Sequence, residues 1–425
     1  MKTIRFILFT LCVFLCVNSC KEEGRYQPET SGGSAPGKVS NVSYEALYGG
    51  AKIFYDIPRD ENLLQIEAEY TNERNETMLF SSSFFKDSIT VLGFADVKEY
   101  TVSLYATNRD GVRSDPVNIK VTPLEPAFSR VANSVIVKSG FSSLVVEWEN
   151  ELQQNVIIYV DFSYTQGGTP YSYTSVFSSN LAKDRRFIDD LYLSQSEPVS
   201  VKVRVQDIYG NVSENKDRGQ FVLLEDNKIP KDKWVLPNPN DSIGGVPMCF
   251  GNDYEGRSYK VIDDIIDRGD NLNFMHTGGR GRTGRGADGN MPWNFIIDLG
   301  DYYELSRIIT VQRHSGGLAN INRGQYYQSE NVGIFRLYVW DEETQSWGEF
   351  INEHTIPVPS GLSEIQFVRK GEAGDMAYFY PDDPAYTKPT RWFRYEAYKG
   401  FSADYTRDDA NCLSEITLYG RKASK

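Results

Sequence analysis

The segment from His276 to Asn290 sets Arg280, Arg282 and Arg285 among six glycines, and it contains a literal G-x-G-x-x-G at Gly279, Gly281 and Gly284. That spacing cradles a pyrophosphate only when a strand precedes it and a helix follows, so that the phosphate sits on the helix N-terminus. Here Pro292 and the alternating run Phe295 to Leu299 follow instead, which reads as a strand and excludes a nucleotide. Arg-Gly runs also occur in RNA-binding segments. The chain of 425 residues, however, carries 45 Lys and Arg against 58 Asp and Glu, a net charge of −13, and counterion release from phosphates needs clustered basic residues. Nucleic acid is therefore not an expected partner. The three arginines, with Arg313 and Arg323, could instead form a basic lip for an anion, or pair with the protein's own carboxylates. Three histidines in the whole chain make His-based metal or acid/base chemistry a poor expectation, and no serine elbow, H-E-x-x-H or Cys/His pairing is present. A glycosidase would need two carboxylates held across a cleft, which composition does not exclude. The 27 Tyr, 23 Phe and 6 Trp suit β-rich domains and would also suit stacking on flat ligands.

Five cysteines sort by position. Cys12, Cys16 and Cys20 lie in or just after a segment in which Lys2 and Arg5 stand at the start of the apolar run Ile4 to Val17, a secretory h-region too short to span a bilayer. Its end, Val17-Asn18-Ser19-Cys20, resembles a bacterial lipobox, which implies that Cys20 is diacylated and anchors the protein on a membrane. Lys21-Glu22-Glu23 resembles the acidic signal that sends lipoproteins of glycan-foraging bacteria to the outer face of the outer membrane. The stretch Lys21 to Gly37 is rich in Gly, Ser, Pro and Glu, as in a flexible tether. Cys249 and Cys412 are the remaining thiols; in an oxidising compartment they either form a disulfide joining the ends of a domain or stay as two buried thiols.

The elements that follow read as strands. Apolar residues alternate in Ala51 to Tyr55, Ile66 to Tyr70 and Tyr100 to Ala106, the signature of half-buried strands. The plan then recurs: Tyr100, Val102, Leu104, Ala106, Asn108, Gly111 and Ser114 find counterparts 99 residues on at Val199, Val201, Val203, Val205, Asp207, Gly210 and Ser213. A repeat of this length predicts two copies of one domain, and the pattern resembles fibronectin type III or Ig-like sandwiches. A Pro/Asn-rich joint at Leu236 to Asp241 closes the repeats.

In the last part, Ile266 to Asp270, Phe274 to Thr277, Phe295 to Gly300, Phe335 to Val339 with Trp347, Arg391 to Tyr395 and Leu413 to Gly420 succeed one another. Their order and spacing resemble a discoidin domain (coagulation factor V/VIII type C), the β-sandwich also used by family 32 carbohydrate-binding modules. The resemblance implies sugar contacts from His276, Arg313 and Asn331. The family's aromatic platform is replaced by Gly278-Gly279, so stacking falls to Tyr326, Tyr327, Tyr378 or Tyr380. It further implies a structural Ca²⁺ on Asp267, Asp270 and Glu415, although Arg268 interrupts the turn. With the lipobox and two sandwiches, the whole resembles a surface glycan-binding lipoprotein of a Sus-like polysaccharide-utilisation system.

The expected organisation is an all-β chain: a signal peptide over 1–19, a lipidated Cys20 and tether over 20–37, sandwiches over 38–125 and 126–227, a linker over 228–241 and a discoidin-like domain over 242–425. The expected function is non-catalytic binding of a glycan, with an acidic one such as a uronate or sulfated chain as one candidate, for delivery to a SusC/SusD-like transporter in the outer membrane. A protein-binding adhesin or scaffold docking that transporter is the alternative, and a glycosidase is a further one.

Overall fold

The computed structural model describes residues 33–194, 197–237, 242–247, 258–269, 272–276, 292–314, 324–328, 331–401 and 412–424. Cys20, Asp270, Cys249, Arg280, Arg282, Arg285 and Arg323 lie outside them, as does the segment proposed for lipidation.

Seven strands build the first unit: β1 (Ser40–Leu47), β2 (Gly50–Asp56), β3 (Leu63–Thr71), β4 (Thr77–Ser83), β5 (Ser88–Leu92), β6 (Tyr100–Asn108) and β7 (Val117–Val121). After the short helix α1 (Ala127–Ser134), seven more repeat the plan: β8 (Ile136–Gly140), β9 (Ser143–Glu149), β10 (Val156–Gln166), β11 (Thr169–Ser179), β12 (Lys183–Ile188), β13 (Val199–Asp207) and β14 (Lys216–Phe221). The sheets run β1-β2-β5 and β4-β3-β6-β7 in the first unit, and β8-β9-β12 and β11-β10-β13-β14 in the second. The shared order makes both fibronectin type III-like sandwiches. Alternation drives this: Tyr100, Val102, Leu104 and Ala106 of β6 and Val199, Val201, Val203 and Val205 of β13 are all buried, each strand presenting one face to its own core.

The repeat extends to single hydrogen bonds. Asn108 Oδ1 accepts from the backbone N–H groups of Asp110 and Val112; Asp207 Oδ1 accepts from those of Tyr209 and Asn211. Ser114 Oγ accepts from Ala106 N and Ser213 Oγ from Val205 N. Each turn also grips whatever precedes its module. Asn108 Nδ2 donates to Ser34 O and Gly33 N to Asp110 Oδ2, so residues 33 and 34, read from sequence as tether, are tied to the first sandwich. In the second copy the buried Asn211 Nδ2 donates to Gly93 O of the first sandwich at 3.0 Å, and Arg74 reaches back to Tyr209 O at 2.7 Å.

A third core follows, on β15 (Asn227–Lys228), β16 (Ser242–Ile243), β17 (Val246–Pro247), β18 (Met275–His276), β19 (Trp293–Val311), β20 (Val332–Val339), β21 (Asn352–Thr355), helix α2 (Glu364–Ala373), β22 (Asp375–Tyr378), β23 (Thr390–Gly400), β24 (Cys412–Leu413) and β25 (Glu415–Lys422). Its main sheet runs β15-β25-β19-β23-β20-β21, with β22 also on β19. The 19-residue β19 changes partners partway: residues 293–298 pair with β23 and residues 303–311 with β25, with a register break between. Gly300 sits at that break with φ +73°, and a Cβ there would meet the Lys233 carbonyl at 2.5 Å, so glycine is required. Ile297, Leu299, Leu337, Val339, Trp347 and Leu418 fill the core as expected, while Trp392 is only partly buried.

The expected linker over 228–241 is corrected. Lys228 pairs with Tyr419, and Ile229 and Trp234 are buried in the third core. The Pro/Asn composition that signalled a joint begins only at Leu236, after the chain has entered the domain. Phe141 of the second sandwich stacks on Tyr378 (ring centroids 5.8 Å) and meets Tyr386 edge-on (5.1 Å), while Arg185 donates to Pro381 O at 3.0 Å.

Candidate functional site

Three separate segments meet at Cys412. In the antiparallel pairing of β18 with β24, His276 lies opposite Cys412, and a parallel bridge sets Asn331 against the same residue. Arg313, two residues beyond the end of β19, donates from Nη1 to Cys412 Sγ at 3.2 Å, and its guanidinium lies over the Phe274 ring at 4.5 Å. The three residues implied as sugar contacts are thus brought together by the fold, although they are far apart in sequence.

Their roles differ. Asn331 is buried; its Oδ1 accepts from Arg313 N at 2.9 Å, and its Nδ2 donates to Arg313 O and Gln325 O at 3.1 and 2.7 Å. This amide is spent on backbone, so the expected direct sugar contact is corrected to a positioning role: it fixes the segment that carries Arg313. Arg313 is partly exposed and its guanidinium lies over an aromatic ring, an arrangement suited to a carboxylate, a sulfate or a vicinal pair of hydroxyls. The His276 side chain lies outside the described set.

Tyr326 and Tyr327 are corrected as stacking platforms. They are 0 % and 5 % exposed, and α2 is the reason. Ser363 and Gln366 close a capping box that starts the helix. Phe367 then packs edge-on against Tyr327 at 5.3 Å, and Gly371 lies against the Tyr326 ring. The hydroxyls point inward, Tyr326 to Asp267 O at 3.2 Å and Tyr327 to Asp375 Oδ1 at 3.4 Å; burial pushes the Asp375 carboxyl up. Tyr378 and Tyr380 line the junction with the second sandwich. Tyr378 pairs with Arg307, six residues and about 20 Å of strand away from Arg313.

The metal expectation meets a different chemistry. Asp267 is fully buried and both carboxylate oxygens accept backbone N–H groups, Oδ1 from Gly269 and Oδ2 from His314, each at 2.9 Å. Glu415 is ion-paired with Lys231, which also contacts Asp264 at 2.8 Å. An ammonium therefore supplies the positive charge that a divalent cation would bring to Glu415, and Asp267 already serves as a backbone cap. These two residues do not fit a Ca²⁺ ligand set. Among the described residues no group of three or more His, Cys, Asp or Glu could hold a metal. Burial still pushes Glu415 up to about 8, with Asp263 and Asp264 adding to the rise and Lys231 opposing it. Sequence reasoning missed Lys231 and Phe274. Lys231 sits in the stretch read as linker, and Phe274 stood inside a quoted motif without an assigned role.

Two family models match the chain, both described as domains of unknown function: DUF4959 over residues 36–123 and DUF5000 over residues 269–420. No curated protein matches the sequence. Among solved structures, a SusE-like protein, BT2857, is 18% identical with a TM-score of 0.35, the match covering 70% of this chain and all of that one. A two-domain fibronectin type III segment of chicken tenascin is 15% identical with a TM-score of 0.21, covering 43% of this chain and 97% of that one. The fibronectin domain of human collagen alpha-1(XX) is 18% identical with a TM-score of 0.20, covering 23% and 93%.

Proposed function

We propose that this chain is a non-catalytic surface lipoprotein, anchored through Cys20 in the outer membrane, that binds a glycan at the end of its third, discoidin-like domain and passes it to a SusC/SusD-like uptake complex. The observation that carries the reading is the meeting of His276, Arg313 and Asn331 around Cys412, with the Arg313 guanidinium laid on Phe274. A planar cation backed by an aromatic ring favours a ligand with carboxylates or sulfates, and Arg280, Arg282 and Arg285 follow directly in sequence from β18. The buried carboxylates support a binding role over hydrolysis: Asp267 is committed to backbone donors and Glu415 to Lys231.

Titration calorimetry of the intact chain against neutral and acidic polysaccharides, with wild type and Arg313→Ala, tests the reading. Binding of an acidic chain that weakens by about tenfold in Arg313→Ala, roughly 1.4 kcal/mol, supports it. Reducing sugar released during the titration would make the protein a glycosidase. Silence on every glycan would favour the protein-docking scaffold.

A further inference from the structure

The two ends of the first sandwich are used differently. Strands β3 and β4 pair with Gln65 opposite Ser83, and β3 and β6 with Leu63 opposite Asn108. The start of β3, the end of β4 and the end of β6 therefore share one end of the sheet. The opposite end carries the β3–β4 turn and the residues after β5, where Arg74 donates to Tyr209 O and Gly93 O accepts from Asn211 Nδ2; it is the end seated on the second sandwich. The first end receives the chain. Gly33 N donates to Asp110 Oδ2, Asn108 Nδ2 donates to Ser34 O, and a Cβ on Gly33 would come within 3.5 Å of Asn62 Nδ2.

The β4–β5 turn stands at that same end, one strand over from the entry point, since neighbouring strands lie about 4.8 Å apart. It presents two consecutive phenylalanines. Phe84 packs against the first core. Phe85 lies beside it with ring centroids 3.9 Å apart and is 82% exposed, more than any other large apolar side chain among the described residues. Lys86 N donates to Ser83 O and closes the turn, so a formed turn and a packed neighbour hold the ring out. Leu64, at the start of β3, and Val112, after β6, are also exposed at this end. The charges around them nearly cancel: Arg59, Lys86 and Arg109 stand with Asp60, Glu61, Asp87 and Asp110. An apolar ring displayed at a nearly neutral end suits a partner that takes up hydrocarbon without demanding charge.

We propose that Phe85 is a membrane contact: the β4–β5 turn inserts this ring into the interfacial layer of the bilayer that holds the anchor, and the first sandwich stands with that end toward the lipid. The proposal rests on the anchoring through Cys20 given above and adds to it an orientation and a second point of contact. Cys20 precedes Gly33 by thirteen residues, a reach of at most about 45 Å, and the chain joins the body at the end that displays Phe85. Strand β6 runs for nine residues, about 30 Å, so the joint with the second sandwich is held away from the lipid. The anchor keeps the turn at high effective concentration beside the bilayer, and one aromatic side chain then suffices where it would not hold the protein alone.

The test uses the full chain, expressed with its N-terminal segment, extracted from membranes in detergent and reconstituted into phosphatidylcholine vesicles with or without bromine on the upper acyl chain. The first sandwich has no tryptophan. Phe85→Trp therefore puts a single reporter at the turn, and Val97→Trp puts one at the opposite end, where Val97 is also exposed. Over the wild-type background, the emission added by Phe85→Trp is expected to shift to shorter wavelength on reconstitution and to be quenched by brominated lipid, while that added by Val97→Trp does neither. Equal quenching at the two positions, or none at Phe85→Trp in protein that floats with the vesicles, overturns the proposal and leaves the anchor standing. Shielding of Phe85→Trp from acrylamide without quenching by bromine assigns the ring to a contact between copies of the chain and overturns it as well. Protein that does not float with the vesicles removes the anchor and the proposal together.

Discussion

Replacing Glu415 by Gln should remove a pH dependence of stability that the wild-type third domain carries. The carboxyl is 3% exposed, and burial moves it from an ordinary 4.5 up to about 8. Between those values the folded chain holds a proton that the unfolded chain has released, so stability must fall as pH rises from about 4.5 to about 8 and level off outside that window. At ~1.36 kcal/mol per pH unit the span from 4.5 to about 8 amounts to about 5 kcal/mol. Glu415→Gln keeps the shape and leaves Lys231 its contact with Asp264, so its stability should vary far less across the window and exceed that of wild type at pH 8. Half-buried His354 acts in the opposite sense below pH 6.5, its imidazole being held low by desolvation. The difference between wild type and variant cancels that contribution. Urea unfolding at pH 5, 6.5 and 8, followed by tryptophan fluorescence, reads the right domain: Trp234, Trp293, Trp340 and Trp347 are buried in the third core, while Trp148 alone reports on the second. Equal slopes for wild type and Glu415→Gln from pH 5 to 8, or a wild type that gains stability relative to Glu415→Gln over that range, would refute the reasoning.

Three further outcomes are expected. Asn331→Ala removes three hydrogen bonds to backbone and should cost about 2–3 kcal/mol in denaturant unfolding, read as a lower urea midpoint than wild type. Glu396, 7% exposed, sits between Arg394 at 2.7 Å and Arg336 at 3.3 Å; Arg336 keeps Glu353 at 2.6 Å, but Glu396→Ala leaves the buried Arg394 guanidinium without a carboxylate and should cost about 3 kcal/mol; a thermal midpoint equal to wild type would contradict this. Gly93 has φ +90°, and a Cβ there would lie 2.9 Å from the Tyr209 ring of the next module. Gly93→Ala should loosen the joint between the first two sandwiches, seen as an increased radius of gyration in small-angle scattering.

The fold was legible where the chain obeys one period. Strict alternation in Tyr100 to Ala106 and Val199 to Val205 fixed the strands, their buried faces and the duplication, because a strand with one buried face has a single admissible register. The third domain was legible in its order of short apolar runs but not in what links them. Helix α2 covers Tyr326 and Tyr327, and no alternation around those tyrosines shows that a helix some forty residues later will bury them. Lys231 was missed for a similar reason: its partner Glu415 lies 184 residues away, and polar composition near Pro237 reads as linker whether or not its flank is buried. For the site, sequence order brought out His276, Arg313 and Asn331, but only the hydrogen bonds separate a side chain spent on backbone from one that stays partly exposed.

The turn after each module's sixth strand, with Asn108 and Asp207 at corresponding points, holds its own loop and also clasps the chain or module lying before it. A copied module therefore arrives with its coupling already built in. Duplication of such a unit seats the new copy on the old one through a turn the fold already possesses, without requiring a new joint between the two sandwiches to evolve.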